Sequence, residues 1–322
     1  MLIPLPEIIA ARERIGEYLA PTPVHRSAHY SELTGAKIYL KLETLLPTHS
    51  FKVRGACNAA LSLTDDELAR GMITASGGNH GLALSYIARL LGVSATIYLP
   101  KRTPQIKIDA IRALEAEVML HGDAWDDANR LALEVAAQTG RTYVHPFDNR
   151  HMMSGAGTMI MELEEQLREV DLVVASIGGG GLIAGVISAV KQLRPATRVI
   201  GVETMGADSM YQSLKAGEVV ELPAITSLVE SLGARRPGEI PFQIVQRYAD
   251  DVVTVTDAEA TGAVAELLVK EKLLAEPATA CCLAALVNGK IAVTPGERVA
   301  VVLCGANVST ASVCEWLGQA RC

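Results

Sequence analysis

Leu172-Val173-Val174-Ala175-Ser176-Ile177-Gly178-Gly179-Gly180-Gly181-Leu182-Ile183-Ala184-Gly185-Val186 is the stretch on which the fold turns. It opens with an apolar run over residues 172–175, short enough for a buried strand. It leaves as a helix-length apolar segment over residues 182–193. Four consecutive glycines lie between. A strand that feeds a helix through a tight turn is the unit from which parallel sheets are wound. Four residues without side chains also leave backbone N–H groups free to wrap an anion, and the helix start adds its dipole. Close packing of helix on strand is the competing explanation, although four glycines cost more backbone entropy than a simple turn needs.

The same alternation continues on both sides. Towards the C-terminus, strands are expected at 198–202, 252–255 and 299–303, with a helix over 257–274. Towards the N-terminus, helices are expected over 154–169, 124–138, 106–117 and 79–91. They alternate with strands at 142–144, 118–120, 95–99 and 71–75. Residues 37–42 alternate as a further strand, and 7–19 read as a helix ending near Pro21. The pattern predicts an α/β fold with parallel sheets and helices on both faces. There is no repeat period, low-complexity tract or flexible linker. Any domain boundary is therefore tight, with 146–155 as one crossing point.

Composition narrows the function classes. The chain has 322 residues, 49 % of them apolar and 20 % charged, which suits a globular protein with a sizeable core. Aromatics are only 4 %, so that core must be aliphatic. The formal charge is −7 with no basic cluster, which argues against nucleic-acid binding. No apolar run is long enough to cross a bilayer, and the start has no basic-then-apolar signal pattern. A cytoplasmic protein is the expectation. The six cysteines, Cys57, Cys281, Cys282, Cys304, Cys314 and Cys322, show no CxxC spacing and read as buried reduced thiols.

Three stretches carry chemistry. The glycine run also satisfies a loose dinucleotide fingerprint, Gly179-x-Gly181-x-x-Ala184, with Glu203 after the next strand, so NAD is a competing ligand on that motif alone. No Gly-Lys-Ser/Thr follows any glycine loop, which counts against a P-loop. Ser76-Gly77-Gly78-Asn79-His80-Gly81, again between strand and helix, is a second anion-receiving loop, suited to a carboxylate. An ordinary helix cap with a polar neighbour is the plainer explanation there. In Pro47-Thr48-His49-Ser50-Phe51-Lys52-Val53-Arg54-Gly55-Ala56, Lys52 sits in an apolar helix start. A partly desolvated lysine loses preference for its charged form, as a Schiff-base lysine requires. A solvent-facing lysine is the simpler alternative, and Lys41, Lys101 and Lys107 compete for the role.

Taken together these loops resemble the serine/threonine dehydratase family of fold-type II enzymes that use pyridoxal 5'-phosphate. That family is related to tryptophan synthase β-chains and cysteine synthases. The matching runs are His49-Ser50-Phe51-Lys52-x-Arg54-Gly55-Ala56, Ser76-x-Gly78-Asn79-His80-Gly81, Gly178-Gly179-Gly180-Gly181-Leu182, Gly201-Val202-Glu203, Glu276-Pro277 and Cys304-Gly305-x-Asn307. They stand in the family's order and span most of the chain. The resemblance decides against NAD.

The resemblance implies a three-layer, tryptophan synthase β-like fold with two domains and the active site between them. The large, discontinuous domain would hold residues 1–54 and 149–322. The small one would hold 55–148 and carry the 76–81 loop. It implies Lys52 as the lysine that bonds the cofactor, with Phe51 packed on its ring. Gly178, Gly179, Gly180 and Gly181 become the phosphate cradle, and Asn79 the amide at the ring oxygen. Cys304 falls near the pyridine nitrogen, and Glu276 lies close to ring and substrate. Ser76, Gly77, Asn79 and His80 become the substrate loop. A neutral thiol at Cys304 does not force that nitrogen to be protonated, which suits β-elimination. Members with serine racemase activity carry a serine at the position of Gly77. Glycine has no side-chain proton donor, so Gly77 points to elimination.

A cation site is a further expectation, with Glu203 and the Ala207 carbonyl beside Asp208 and Ser209. The family's last acidic ligand would align with Ser209, one position after Asp208. Oxygen ligands suit Mg, Ca or K better than zinc. Eighteen residues follow Cys304, and a C-terminal regulatory domain is not expected. The expected activity is a deaminating dehydratase acting on L-threonine, giving 2-oxobutanoate and ammonia, and on L-serine, giving pyruvate. A threo-3-hydroxyaspartate dehydratase is the alternative, ahead of a serine racemase or a β-replacement synthase. A homodimer is the expected assembly, with no nucleic-acid or membrane partner.

Overall fold

The valine-rich runs become the centre of a sheet buried on both faces. On the strands Leu172–Ser176 and Arg298–Val302, Leu172, Val174, Val299 and Val301 point into one apolar cluster, and Val173, Ala175, Ala300 and Val302 into another. A side-chain period of two makes each such strand serve two cores at once. The computed structural model describes residues 1–123 and 125–319. Its strands are β1 (Val24–Ser27), β2 (Lys37–Lys41), β3 (Met72–Ala75), β4 (Ala95–Leu99), β5 (Glu117–Leu120), β6 (Thr142–Tyr143), β7 (Leu172–Ser176), β8 (Arg198–Thr204), β9 (Asp251–Val255) and β10 (Arg298–Val302).

They form two sheets. The larger runs β1-β2-β10-β7-β8-β9 and the smaller β5-β4-β3-β6. Helices Pro277–Val287 and Asp257–Glu271 cover one face of the larger sheet, and Arg150–Gln166, Gly181–Leu193 and Glu239–Tyr248 the other. The three-layer α/β expectation is met. The smaller sheet packs on helix Asn79–Leu91 through a core that also takes in Ile15, Leu19, Leu46 and Met152, and on helix Trp125–Thr139 through Ala128, Ala132 and Ala136.

Several boundaries differ from the sequence reading. The larger sheet is not wholly parallel, because β1 pairs antiparallel with β2 at the edge. The helix expected over 106–117 stops at Arg112; Glu115 adopts a left-handed φ of 63°, and Glu117 already belongs to β5. The helix expected over 154–169 starts earlier, at Arg150, because the Asn149 side chain accepts from the His151 and Met152 amides. The helix after β9 ends at Glu271, where Lys272 turns left-handed. Ala124, the expected start of its helix, and Cys322 lie outside the described residues. Cys57, Cys281, Cys282 and Cys304 are buried, whereas Cys314 is exposed, contrary to the expectation for it. Among the described residues no helix is long and apolar enough to cross a membrane.

Candidate active site

The carboxyl ends of parallel strands are where open α/β sheets bind ligands. Here the ends of β3, β6, β7 and β10 deliver residues 76–81, 144–148, 178–181 and 304–307 to one place. Lys52 reaches the same place from a tight bend. His49 is left-handed, with φ 53°, Ser50 bridges Gly305, and the Phe51 amide donates to the Cys304 carbonyl at 2.9 Å. Helix Lys52–Ala60 then starts on the lysine itself. Lys52 Nζ donates to the Pro146 carbonyl at 2.6 Å and lies 5.2 Å from the centre of the Phe51 ring. Burial lowers the lysine's pKa to about 8, against an opposing pull from nearby Cys304.

Arg54, two residues further on, does not face the site. Its guanidinium meets Glu43 at 2.6 Å and Glu162 at 2.6 Å, and Lys41 meets Glu162 at 2.6 Å, all of them buried. That removes Lys41 as a rival to Lys52. Arg150 pairs with Glu7 at 2.7 Å on the surface. Neither arginine opens onto the site.

The glycine run is tight on one side and open on the other. A Cβ on Gly179 would stand 2.3 Å from the Phe147 ring, one on Gly180 2.6 Å from Pro241, and one on Gly181 2.8 Å from the Phe147 carbonyl. Gly180 is left-handed at φ 94°. Close packing of the run is therefore observed. Among the described residues, no protein acceptor takes up the amide N–H groups of residues 178–181. The second loop behaves alike. Gly81 has no room for a Cβ, which would lie 2.0 Å from the Ser76 carbonyl. Ser76 Oγ accepts from the Gly78 amide at 3.4 Å, while the amides of Gly77, Asn79, His80 and Gly81 remain without a protein acceptor among the described residues.

Asn79 opens helix Asn79–Leu91 and donates from Nδ2 to Glu276 Oε1 at 2.8 Å. Ser231 bonds the other Glu276 oxygen. Cys304 Sγ lies 3.1 Å from Thr279 Oγ1 and 3.4 Å from Ser176 Oγ; burial pushes the thiol up to about 12, so it keeps its proton. His80 shares the loop, but its ring is turned inward. Its Nε2 donates to the Val144 carbonyl at 3.0 Å, Nδ1 is buried without a partner among the described residues, and burial with the nearby Lys52 charge lowers it to about 3. The sequence reading placed His80 in the substrate loop; its backbone lies there, and its ring braces the loop from behind.

Sequence reasoning gave the segment 144–148 no place at the site. Val144 holds His80, Pro146 holds Lys52, and Phe147 packs on the glycine run. The Asp148 carboxylate accepts from the Glu239 amide at 3.0 Å and the Ile240 amide at 3.3 Å, at the start of helix Glu239–Tyr248. His145 Nδ1 accepts from the Phe147 and Asp148 amides, at 3.3 and 2.9 Å, and so pins the turn. His-Pro-Phe-Asp after a short strand was the available signal. Thr279 and Ser176 were likewise missed, since isolated hydroxyls leave no spacing pattern.

Glu203, Ala207, Asp208 and Ser209 gather at the entry to helix Ser209–Ala216. The buried Glu203 carboxylate accepts from the Met210 and Tyr211 amides, at 3.0 and 2.7 Å, and burial pushes its pKa well above the usual range. Asp208 accepts from the Gly206 amide and from Gln212 Nε2, at 3.2 and 2.7 Å. Among the described residues no three His, Cys, Asp or Glu side chains converge as a metal cluster.

Residues 15–305 match the family model described as pyridoxal-phosphate dependent enzyme. The L-threonine ammonia-lyase of Thermotoga maritima is 38 % identical over 307 residues, covering 95 % of this chain and 76 % of that protein. Among solved structures, the processed form of threonine deaminase isoform 2 from Solanum lycopersicum superposes with a TM-score of 0.93 at 33 % identity. The match covers 99 % of this chain and 92 % of that one. Maize serine racemase gives a TM-score of 0.92 at 29 % identity, covering 98 % and 97 %.

Proposed function

The chain belongs to the family of pyridoxal-phosphate dependent enzymes, and we propose that it is a deaminating dehydratase that converts L-threonine to 2-oxobutanoate and ammonia and L-serine to pyruvate and ammonia. The observation that carries this reading is the setting of Lys52. An amine with its pKa lowered to about 8 bonds the Pro146 carbonyl, next to the Phe147 that packs on a run of uncommitted amides, and a nearby thiol that keeps its proton acts on it. Those residues fit pyridoxal 5'-phosphate. The unpaired N–H groups of Gly178, Gly179, Gly180 and Gly181 at a helix start suit a phosphate. When bound, the cofactor supplies an aldehyde that bonds amino groups and a ring that takes up electrons released at the substrate α-carbon.

The chain's own residues do the rest. Lys52 would hold the cofactor covalently and, once displaced by the substrate amine, take the α-proton. Near-neutral pKa lets that amine be both acceptor and, later, donor. The amides of the 76–81 loop would hold the substrate carboxylate, and Asn79 would donate to the ring oxygen. Cys304, kept neutral, would place no full charge beside the ring nitrogen. Phe51 covers one side of the lysine. Loss of the β-hydroxyl as water, and return of water after release, balances the overall change to one 2-oxo acid and one ammonia.

The remaining parts of the reading are of the same kind. The two sheets would mark two domains, 1–54 with 149–322 and 55–148, closing on the substrate between them. The protein would act in the cytoplasm as a homodimer, a state that light scattering measures. A Mg, Ca or K ion beside Glu203 would relieve that buried carboxylate, so chelation should lower the melting temperature and the added ion restore it. The buried pairing of Arg54 favours threonine and serine over 3-hydroxyaspartate, whose second carboxylate needs a free cation. The deciding assay is ammonia and 2-oxo acid release from a panel of hydroxy amino acids. Threonine and serine should be consumed without an added nucleophile. No release from either would overturn the reading, and dependence on an added nucleophile would favour a β-replacement synthase.

A further inference from the structure

Asn307 belongs to the run after β10, yet the proposed reaction gives it no task. Its Nδ2 donates to the Thr48 carbonyl at 2.9 Å and to Asn79 Oδ1 at 2.6 Å. Its backbone N–H donates to Glu276 Oε1 at 3.0 Å, the same oxygen that receives Asn79 Nδ2 at 2.8 Å. The two ends of this chain of bonds accept only: a peptide carbonyl at Thr48 and a carboxylate at Glu276. Thr48 therefore requires the nitrogen of the Asn307 amide. That nitrogen also faces Asn79, which must answer with its oxygen. Asn79 Nδ2 is then left for Glu276. The orientation of both amides follows from their neighbours. An amide nitrogen carries two hydrogens, and Glu276 takes one from Asn79.

We propose that Asn307 is a positioning residue that fixes the hydrogen-bond polarity of Asn79, so that the amide offers its unused N–H, and never its oxygen, to the ring oxygen of the bound cofactor. This rests on the reading of Asn79 as the amide that meets that ring. A negatively charged oxygen is stabilised by a donor and repelled by lone pairs, so a half-turn of the Asn79 amide reverses the sign of the contact. The turned amide would also set its oxygen against Glu276 and its nitrogen against Asn307 Nδ2. The same arrangement explains the spacing Gly305-x-Asn307. A Cβ on Gly305 would lie 2.6 Å from Glu276 Oε1 and 3.2 Å from Asn79 Nδ2, so a residue without a side chain is needed where that pair closes.

Asn307→Asp tests this by replacing a donor with an acceptor of the same shape. Titration of each apoprotein with pyridoxal 5'-phosphate, followed by the visible spectrum of the bound cofactor, gives affinity and ring state together. The dissociation constant of Asn307→Asp should rise by about tenfold or more. Its visible band should change as that of Asn79→Ala does, with Asn307→Ala between it and wild type. In the Asn79→Ala background, Asn307→Asp should cost much less, keeping only the loss of its bond to the Thr48 carbonyl. A residue that only supports the fold would cause the same loss in both backgrounds. Equal losses, or a wild-type affinity and spectrum in Asn307→Asp, would overturn the proposal. If circular dichroism shows that Asn307→Asp does not fold, Asn307→Ala carries the same cycle. Wild-type protein that takes up no cofactor would instead overturn the proposed function, which separates the two failures.

Discussion

Two polar clusters meet the chain around Lys52, and they are built on opposite plans. Behind the lysine, Arg54, Lys41, Glu43 and Glu162 are buried, with two positive and two negative charges matched. Thr22 and Thr158 bond the same arginine. In front, Asn79, Glu276, Asn307 and Ser231 bond one another but leave an N–H unused. Two loops beside them hold amides with no protein acceptor among the described residues. A saturated network holds structure, and an unsaturated one holds capacity for a ligand. The first anchors the helix of Lys52, and on the proposed reading the second would set what Lys52 can act on. Substitutions should therefore divide into those that change stability and those that change chemistry.

The hardest test of that division is Lys52→Ala. Turnover should fall by roughly four orders of magnitude or more, while the melting temperature of the apoprotein should change little, because the partly buried amine has a lowered pKa and gives up a single bond, to the Pro146 carbonyl. Cofactor should still bind weakly through its phosphate, and borohydride should no longer attach it to the chain. A label fixed to another lysine would break the assignment. On the other side, Arg54→Met leaves two buried carboxylates facing one ammonium. It should cost about 3–5 kcal/mol in denaturant unfolding, with the loss in stability preceding any specific loss in cofactor affinity. A variant as stable as wild type would show that the rear cluster is not structural.

Acid should separate the clusters in a graded way. Burial, with the charge of Lys52, lowers His80 to about 3 and His145 to about 4, whereas an unfolded imidazole titrates near 6.5. Below that pH the unfolded chain binds protons that the folded chain refuses. Stability should thus fall as pH drops from about 6.5 towards 4, and this contribution should level off below about 3. Glu162 resists that range. Burial would raise its pKa, but Arg54 and Lys41 together hold it below the ordinary value, so the rear cluster stays charged longer. Unfolding midpoints measured across this range should flatten in His145→Asn, whose side-chain oxygen can still accept from the same turn. An unchanged slope would remove His145 from the account.

The smallest expected effect concerns the face of the substrate away from Lys52. Wild type should turn L-serine mainly into pyruvate, with D-serine far slower, as chiral chromatography would read. Gly77→Ser restores a hydroxyl, yet its Cβ would stand 3.3 Å from Thr103 Cγ2 and 3.5 Å from Leu99 Cδ2, so Thr103 must yield by a few tenths of an ångström. The variant should raise racemisation relative to elimination only modestly, and more so with Thr103→Ala. D-serine from wild type at a rate comparable to pyruvate would break the dehydratase assignment.

The strands, most helices and both anion loops were legible in the sequence because each depends on neighbours a few residues away. A run such as residues 172–182 carries its own period, turn and helix start, and Lys52 stood out once its loop resembled known ones. Tertiary structure alone decided the partners. Arg54 is two residues from Lys52 but meets Glu162, 108 residues away, and that pairing makes it a buried anchor. His80 turned inward because Val144 arrives beside it from another strand. Asn307 acquired its role because Thr48 and Glu276, both acceptors, converge on it from opposite ends of the chain. Periodicity and backbone preference act along the chain, whereas hydrogen-bond polarity and charge pairing act through space, so they became readable only after the sheets had brought distant residues together.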